Sequence, residues 1–261
     1  MADVNGIPDI QIVTGSPWRG VRYFCTTRHG GVSVGPLGQL NLGAHVGDDP
    51  AHVAENRRRL AALLPAAPLW LQQVHGKDVV DADMPSASEA IPVADASVTG
   101  MAGRVLAIMT ADCLPVVLSD MDGRVLGAAH AGWRGLAAGV LENTLAHMRA
   151  RHPRSRGWKA WIGPAIGQSA FEVGQDVLDA FAGLGPDAHR CFIPGAKPGK
   201  WLADLPGLAS LRLKRAGVEQ VECCGHCTYS EEGLFYSYRR DPRGGRMATL
   251  AWLETDPGAG A

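Results

Sequence analysis

The dipeptide Asp122-Gly123, set between the apolar runs LPVVLS (114–119) and VLGAAHA (125–131), constrains the fold more than any other stretch. An Asp-Gly pair between two apolar runs signals a hairpin with a two-residue turn. It pairs Met121 with Arg124, so opposed residue numbers sum to 245 and Cys113 faces Gly132. Such a hairpin excludes a purely parallel, doubly wound sheet. Side chains alternate along strands, so His130 shares the face of Cys113 as its diagonal neighbour, about 7 Å away between Cα atoms. Asp112 is expected on the opposite face, pairing locally.

Further apolar runs predict strands at 10–13, 21–27, 69–75, 104–110, 158–163, 234–238 and 247–253. Helical patterns are clearest in DPAHVAENRRRLAALL, where Asp49 caps and Pro50 opens the first turn, and in LAAGVLENTLAHMRA. The latter places Leu136, Val140, Leu141, Leu145 and Met148 on one face. Shorter helices are expected over 175–181 and 205–216. The fold class is therefore α+β, with mixed, largely antiparallel sheets layered with helices. The 261 residues, 46% of them hydrophobic, suffice for a single domain over 1–261 with its core at about 20–253 and frayed ends. MPSASEAIP (84–92) and GAKPGK (195–200) are expected as surface loops.

The balance of 25 Lys and Arg against 26 Asp and Glu argues against a nucleic-acid partner. RRR (57–59) and RARHPRSR (149–156) are expected to be solvated faces. MADVNGIPDIQIV lacks a signal peptide's basic start and apolar core, and no run suggests a membrane span, so a cytoplasmic protein is expected. Six cysteines in such a chain are expected to be core thiols, ligands or nucleophiles, not a disulfide framework.

Cys113 beside His130 admits three readings: a buried thiol near a satisfied histidine, a nucleophile with its base, or two metal ligands. His75, in QQVHG at the end of a predicted strand, can join them. Two imidazoles and a thiolate suit zinc, and three protein ligands leave a fourth position open, as in catalytic sites. Gly132 and Gly135 in AGWRGL, with Arg134, are a candidate anion site at a helix start. Arg28 leads into the glycine-rich TTRHGGVSVG, which matches neither a P-loop nor a dinucleotide fingerprint. CCGHCT (223–228) is a rival metal site with one CxxC and no second pair. The deaminase pattern HxE with PCxxC is absent.

Taken together, QQVHG, TADCLPV, AAHAGWRG, IGPAIG with FEVG, and FYSYRRD with GRMA resemble the laccase-domain family of YfiH type. This multicopper polyphenol oxidase-like family is described as purine nucleoside phosphorylases. TTRHGGVS, LNLGAHVGDD, ENRRRL and ADASVT agree, so the resemblance runs from about residue 20 to 253. It implies an α+β fold related to cysteine hydrolases, and a catalytic zinc on His75, Cys113 and His130. It also implies phosphorolysis of adenosine, inosine, guanosine and methylthioadenosine, with deamination of adenosine. Relatives have also been assigned copper-dependent phenol oxidation and editing of peptidoglycan precursors. Ala165 and Ser97 depart from the pattern, which otherwise has cysteine and leucine there. Cys223, Cys224 and His226 lie outside it, whereas Cys227-Thr228 belongs to it.

The leading expectation is a zinc-dependent purine nucleoside enzyme taking nucleoside and phosphate, with Arg28, Asn41, Gln73 and Arg134 as substrate or phosphate contacts. A cysteine hydrolase with Cys113 as nucleophile and His130 as base uses the same residues without metal. Copper is expected only as an opportunistic occupant, because none of the nine histidines forms the HxH pairs of a four-copper oxidase. A non-enzymatic zinc-stabilised interaction module is the remaining alternative.

Overall fold

The computed structural model describes residues 9–84 and 90–255. The expected frayed ends and most of the 84–92 loop therefore lie outside the described residues. In chain order come β1 (Ile12–Val13), β2 (Val21–Thr26), α1 (Pro50–Ala61), β3 (Val79–Asp81), β4 (Ala96–Thr99) and β5 (Leu106–Thr110). β6 (Leu114–Asp120), β7 (Leu126–Ala131), α2 (Trp133–Ala138), α3 (Val140–Arg151), β8 (Trp158–Ile162), β9 (Glu172–Gly174) and α4 (Gln175–Ala180) follow. The remainder is α5 (Pro186–His189), β10 (Phe192–Pro194), β11 (Lys200–Ala203), α6 (Leu205–Arg215), β12 (Gln220–Cys223) and β13 (Met247–Leu253).

Three sheets form, in the orders β1-β2-β13-β5, β10-β11-β9 and β12-β8-β6-β7-β4-β3. Among the strand pairs of the described residues, only β12–β8 and β3–β4 are parallel. The hairpin register holds, with Leu114 facing Ala131 and Pro115 facing His130. The turn is wider than the two residues expected: Met121 N–H turns away to the Gly157 carbonyl, Asp122 lacks a positive φ, and Asp120 Oδ1 accepts from the Arg124 and Val125 N–H groups.

Period-two alternation explains the layers. In β2, Tyr23 and Cys25 point towards the six-stranded sheet, where they meet Val117, Leu126, Ala128 and Trp161. Phe24, on the other face, packs with Leu40, Leu42 and Leu60 of the α1 side. Leu114, Val116 and Leu118 of β6 face the opposite way, onto Leu136, Val140, Leu141, Leu145 and Met148. The result is helix, four-stranded sheet, six-stranded sheet, helices. Residues 111–113 carry the chain from β5 in one sheet to β6 in the other.

The α1 cap is as read: Asp49 Oδ1 accepts from Ala51 N–H at 2.8 Å. The helix read over 136–150 is instead two, broken by Gly139 at φ 95°, whose N–H caps α2. LWLQQVH is not a strand, since only isolated bridges from Leu69 to Leu106 and Gln72 to Val93 form there. LFYSY is not one either. Phe235 and Tyr236 are buried, but Phe235 N–H turns back to Glu231 and Tyr236 N–H meets the Met247 sulfur. The short strands β3, β9, β10, β11 and β12, each of three or four residues, carry too few side chains for a period to show.

Among the described residues no helix is long and apolar enough to cross a membrane. All six cysteines are free. The arginine-rich stretches are tied down locally: Arg58 and Arg59 to Glu55, Arg57 to the Leu42 carbonyl, Arg151 to Asp81 and Asp83.

Candidate metal centre

Cys113 lies on the crossing between the two sheets and His130 near the matching end of β7. Both share the parity of residues facing the four-stranded sheet, so they meet at the mouth of the inter-sheet layer. His75 comes from the irregular 69–78 segment. One ligand atom from each of His75, Cys113 and His130 falls within 4.8 Å of the others, and Cys113 Sγ is 3.7 Å from His75 Nε2. The His75 and His130 rings meet edge-on at 4.8 Å between centroids. His130 is buried, Cys113 partly exposed and His75 exposed, so the trio has one open side.

Asp95, missed in the sequence although it lies within ADASVT, organises the trio. Its fully buried carboxylate accepts the backbone N–H groups of Val74, His75 and Gly76 at 3.1, 2.9 and 2.7 Å. The same carboxylate accepts His130 Nδ1–H at 2.7 Å. With Nδ1 engaged, Nε2 of His130 is the lone pair left for a metal. Gln73 steadies the same segment, exchanging two 2.8 Å hydrogen bonds with the Met109 backbone.

His75 (φ 59°) and Asp112 (φ 90°) are the two non-glycine residues with positive φ among the described residues, and both border the site. Asp112 does not pair locally as expected. Its carboxylate accepts from Thr228 Oγ1 and Arg239 N–H, both at 2.7 Å, and its carbonyl accepts from Ile166 N–H. It clamps three distant segments around Cys113.

Gly132 and Gly135 serve close approach. A Cβ at Gly132 would lie 2.9 Å from Cys113 Sγ and from His75 Cδ2, and one at Gly135 would lie 2.6 Å from the Gly76 carbonyl. Gly132→Ala is expected to keep the fold, because φ is −59° there. By displacing two ligands it should weaken metal binding at least about tenfold, measured by chelator competition.

Burial pushes the Cys113 thiol up, but His130 and then His75 bring it down to about 6. Burial pushes His130 down, while Asp95 and then Cys113 hold it up at about 9. Burial likewise works against the Asp95 carboxylate, and its bonds from His130 and the Gly76 amide override it, leaving its pKa lowered. The metal-free site thus holds a thiolate–imidazolium pair around neutral pH. Cys113, depressed, contributes stability that is lost as pH falls through about 6. His130, raised, contributes stability that is lost as pH rises through about 9. Between those limits the proton has only moved from sulfur to imidazole, so the pair adds little slope to stability.

The donor set fits zinc. Tetrahedral zinc with ordinary Zn–S and Zn–N bonds needs sulfur and nitrogen about 3.6 Å apart, against the observed 3.7 Å. Binding must displace one proton, from His130. Metal affinity is therefore expected to rise about tenfold per pH unit between the two pKa values and level off above them, read by competition with a chelator.

The other expected contacts lie differently. Arg28 donates to the Gly38 and Glu232 carbonyls and stacks on Tyr236. Asn41 is fully buried and bonds Gly43, Asp48 and the Arg246 amide. Arg134 is exposed and lies over Trp133. In CCGHCT, His226 pairs with Glu231 and Cys227 Sγ accepts from Gly167 N–H. Among the described residues that cluster forms no group of three metal donors; His75, Cys113 and His130 do.

A family model described as multi-copper polyphenol oxidoreductase laccase matches residues 22–254. A purine nucleoside phosphorylase of Pseudomonas aeruginosa is 51% identical over 234 residues, covering 90% of this chain and 94% of that protein. Purine nucleoside phosphorylase YfiH of Escherichia coli is 50% identical over 238 residues, covering 90% and 95%. The crystal structure of a Neisseria meningitidis protein superposes with a TM-score of 0.85 at 47% identity, covering 95% of this chain and all of that one. That of YlmD from Geobacillus stearothermophilus gives 0.83 at 34% identity, covering 92% and 94%.

Proposed function

This chain belongs to the multi-copper polyphenol oxidoreductase laccase family, and we propose that it is a zinc-dependent purine nucleoside phosphorylase that also deaminates adenosine. The observation that carries the reading is the convergence of His75, Cys113 and His130 donors within 4.8 Å, with one side open. The relatives named purine nucleoside phosphorylases give the substrate class. Cys113 Sγ and the Nε2 atoms of both histidines would hold the metal, which supplies Lewis acidity towards a substrate oxygen or a water. Asp95 fixes the tautomer and ring plane of His130, and its three backbone contacts fix where His75 projects. In phosphorolysis a phosphate oxygen bonds C1′ as the C1′–N9 bond breaks, the electron pair passing to N9, which takes up a proton. In deamination a water oxygen bonds C6 and the C6–N6 bond then breaks, the amino group taking up a proton from that water and leaving as ammonia.

Adenosine incubated with zinc-loaded protein and phosphate, beside a chelated sample, tests this by chromatography. Adenine with ribose 1-phosphate, and inosine, are expected only in the zinc-loaded sample. No turnover in either would overturn the reading.

One observation favours a second reading. Cys113, His130 and Asp95 form a nucleophile–base–orienting chain, with the thiol already drawn down to about 6. That arrangement suits metal-independent hydrolysis of an amide in a cell-wall precursor. It needs no His75, and its activity would survive chelation.

A further inference from the structure

Phosphorolysis needs a cation beside the centre; the Arg28 fork is spent on backbone carbonyls, and Arg134 is exposed and lies over Trp133. Arg246 differs. Met247 pairs with Thr110, so Arg246 stands opposite Ala111, on the crossing that carries Cys113. Its backbone N–H donates to Asn41 Oδ1 at 2.9 Å, and its stem lies close over Gly43, where a Cβ would sit 2.9 Å from Cγ. Nη1 donates to the carbonyls of Gly244 and Gly245 at 2.9 and 3.0 Å. These contacts pin the guanidinium by one corner. Among the described residues, Nε and Nη2 meet no hydrogen-bond acceptor, and no carboxylate forms an ion pair with this side chain.

The neighbourhood supports an anion. Burial draws the Arg246 pKa down, and Cys113, Tyr238 and Asp112 are the groups whose charge acts against it, so the cation is felt at the centre. The Tyr238 ring lies 5.8 Å from Arg246 Cζ and is 55% exposed. Its neighbour Arg239 donates its N–H to Asp112, which keeps this rim next to Cys113. A half-buried guanidinium with one edge of two parallel N–H donors and no counter-charge matches the oxygens of a phosphate.

We propose that Arg246 is the phosphate receptor of this site, presenting its Nε–Nη2 edge to two oxygens of inorganic phosphate held beside the His75–Cys113–His130 centre and the Tyr238 ring. Its part in turnover rests on the phosphorylase reading: it places the phosphate whose oxygen bonds C1′ as N9 leaves with the electron pair. The anion site itself stands on the geometry of Arg246.

The test uses zinc-loaded, full-length wild type, Arg246→Gln and Arg246→Lys. Arg246→Gln is expected to raise the KM for phosphate at least about tenfold with little change in the KM for nucleoside or in bound zinc. Arg246→Lys keeps the charge, removes the two-donor edge and should fall between; it carries the test if the glutamine variant does not fold. Inorganic phosphate titrated calorimetrically without nucleoside should bind wild type and bind both variants more weakly. Phosphate binding undiminished in both variants would overturn the proposal whatever the activity. Phosphate binding lost in the variants, with no ribose 1-phosphate from wild type, would uphold the receptor and overturn the phosphorylase reading instead.

Discussion

Asp95→Ala should lose at least about 4 kcal/mol of folding stability together with most of its affinity for metal. The stability loss follows from what the carboxylate serves: three backbone N–H groups and His130 Nδ1, all meeting at a residue with no solvent exposure. Each buried donor left without a partner costs about 1–3 kcal/mol, and the His130 imidazolium would keep only the Cys113 thiolate as counter-charge. Water reaching the exposed His75 side offsets part of this. For a chain of this size the loss corresponds to a fall of roughly 8–16 °C in Tm. Metal affinity should fall about 10–100-fold through loss of the His130 tautomer, and further because the 74–76 segment is released. Calorimetric melting and chelator competition on the same preparation measure both. Asp95→Asn is the informative partner, since it preserves volume but turns an NH2 group towards donors. A variant melting within about 1 °C of wild type with full metal affinity would show that the carboxylate organises nothing.

His75→Ala should reduce zinc affinity more than about a hundredfold, beyond what losses outside the ligand shell reach, and reduce phosphorolysis to background. Stability should hardly change. The His75 side chain is exposed; its ring meets Cys113, His130 and the Gly132 backbone, while its own backbone carries the bond to Asp95. Alanine inherits the same positive φ, so strain is similar. This variant separates the two chemical readings, which Cys113→Ser cannot do because both lose the sulfur. A cysteine hydrolase keeps Cys113, His130 and Asp95 intact and should retain its rate. Phosphorolysis at wild-type rate in His75→Ala would sink the three-ligand centre.

The hairpin was legible because Asp122-Gly123 fixes a register and period two then fixes a face, so Cys113 and His130 could be brought together by counting. Helix α1 was legible through Asp49 and Pro50. His75 was found by its place in QQVHG, but for a wrong reason: it projects from an irregular segment, not a strand end. That segment is held by the side chains of Gln73 and Asp95, and side-chain-to-backbone bonds across 20 or 36 residues leave no local period. Asp95 escaped notice for the same reason, as an acid in an otherwise buried strand entrance whose partners are amides. The signal available was its burial context, ADASVT, where an unpaired carboxylate would be expensive. Arg246 was overlooked because its importance depends on the β13–β5 pairing, which joins distant parts of the chain.

That pairing also governs the order in which the molecule can be assembled. β13 lies between β2 and β5, although it is the last strand in the sequence. All three residues of the candidate metal centre are synthesised by residue 130, yet the sheet carrying the approach to Cys113 remains in two separate pieces until residues 247–253 arrive. A nascent chain therefore possesses these residues long before it possesses all of their scaffold. Asp95 can aim the two imidazoles early, but the β5 end that leads to Cys113 gains its β13 partner last, so a translation pause upstream of Met247 would leave the thiol's approach unsupported.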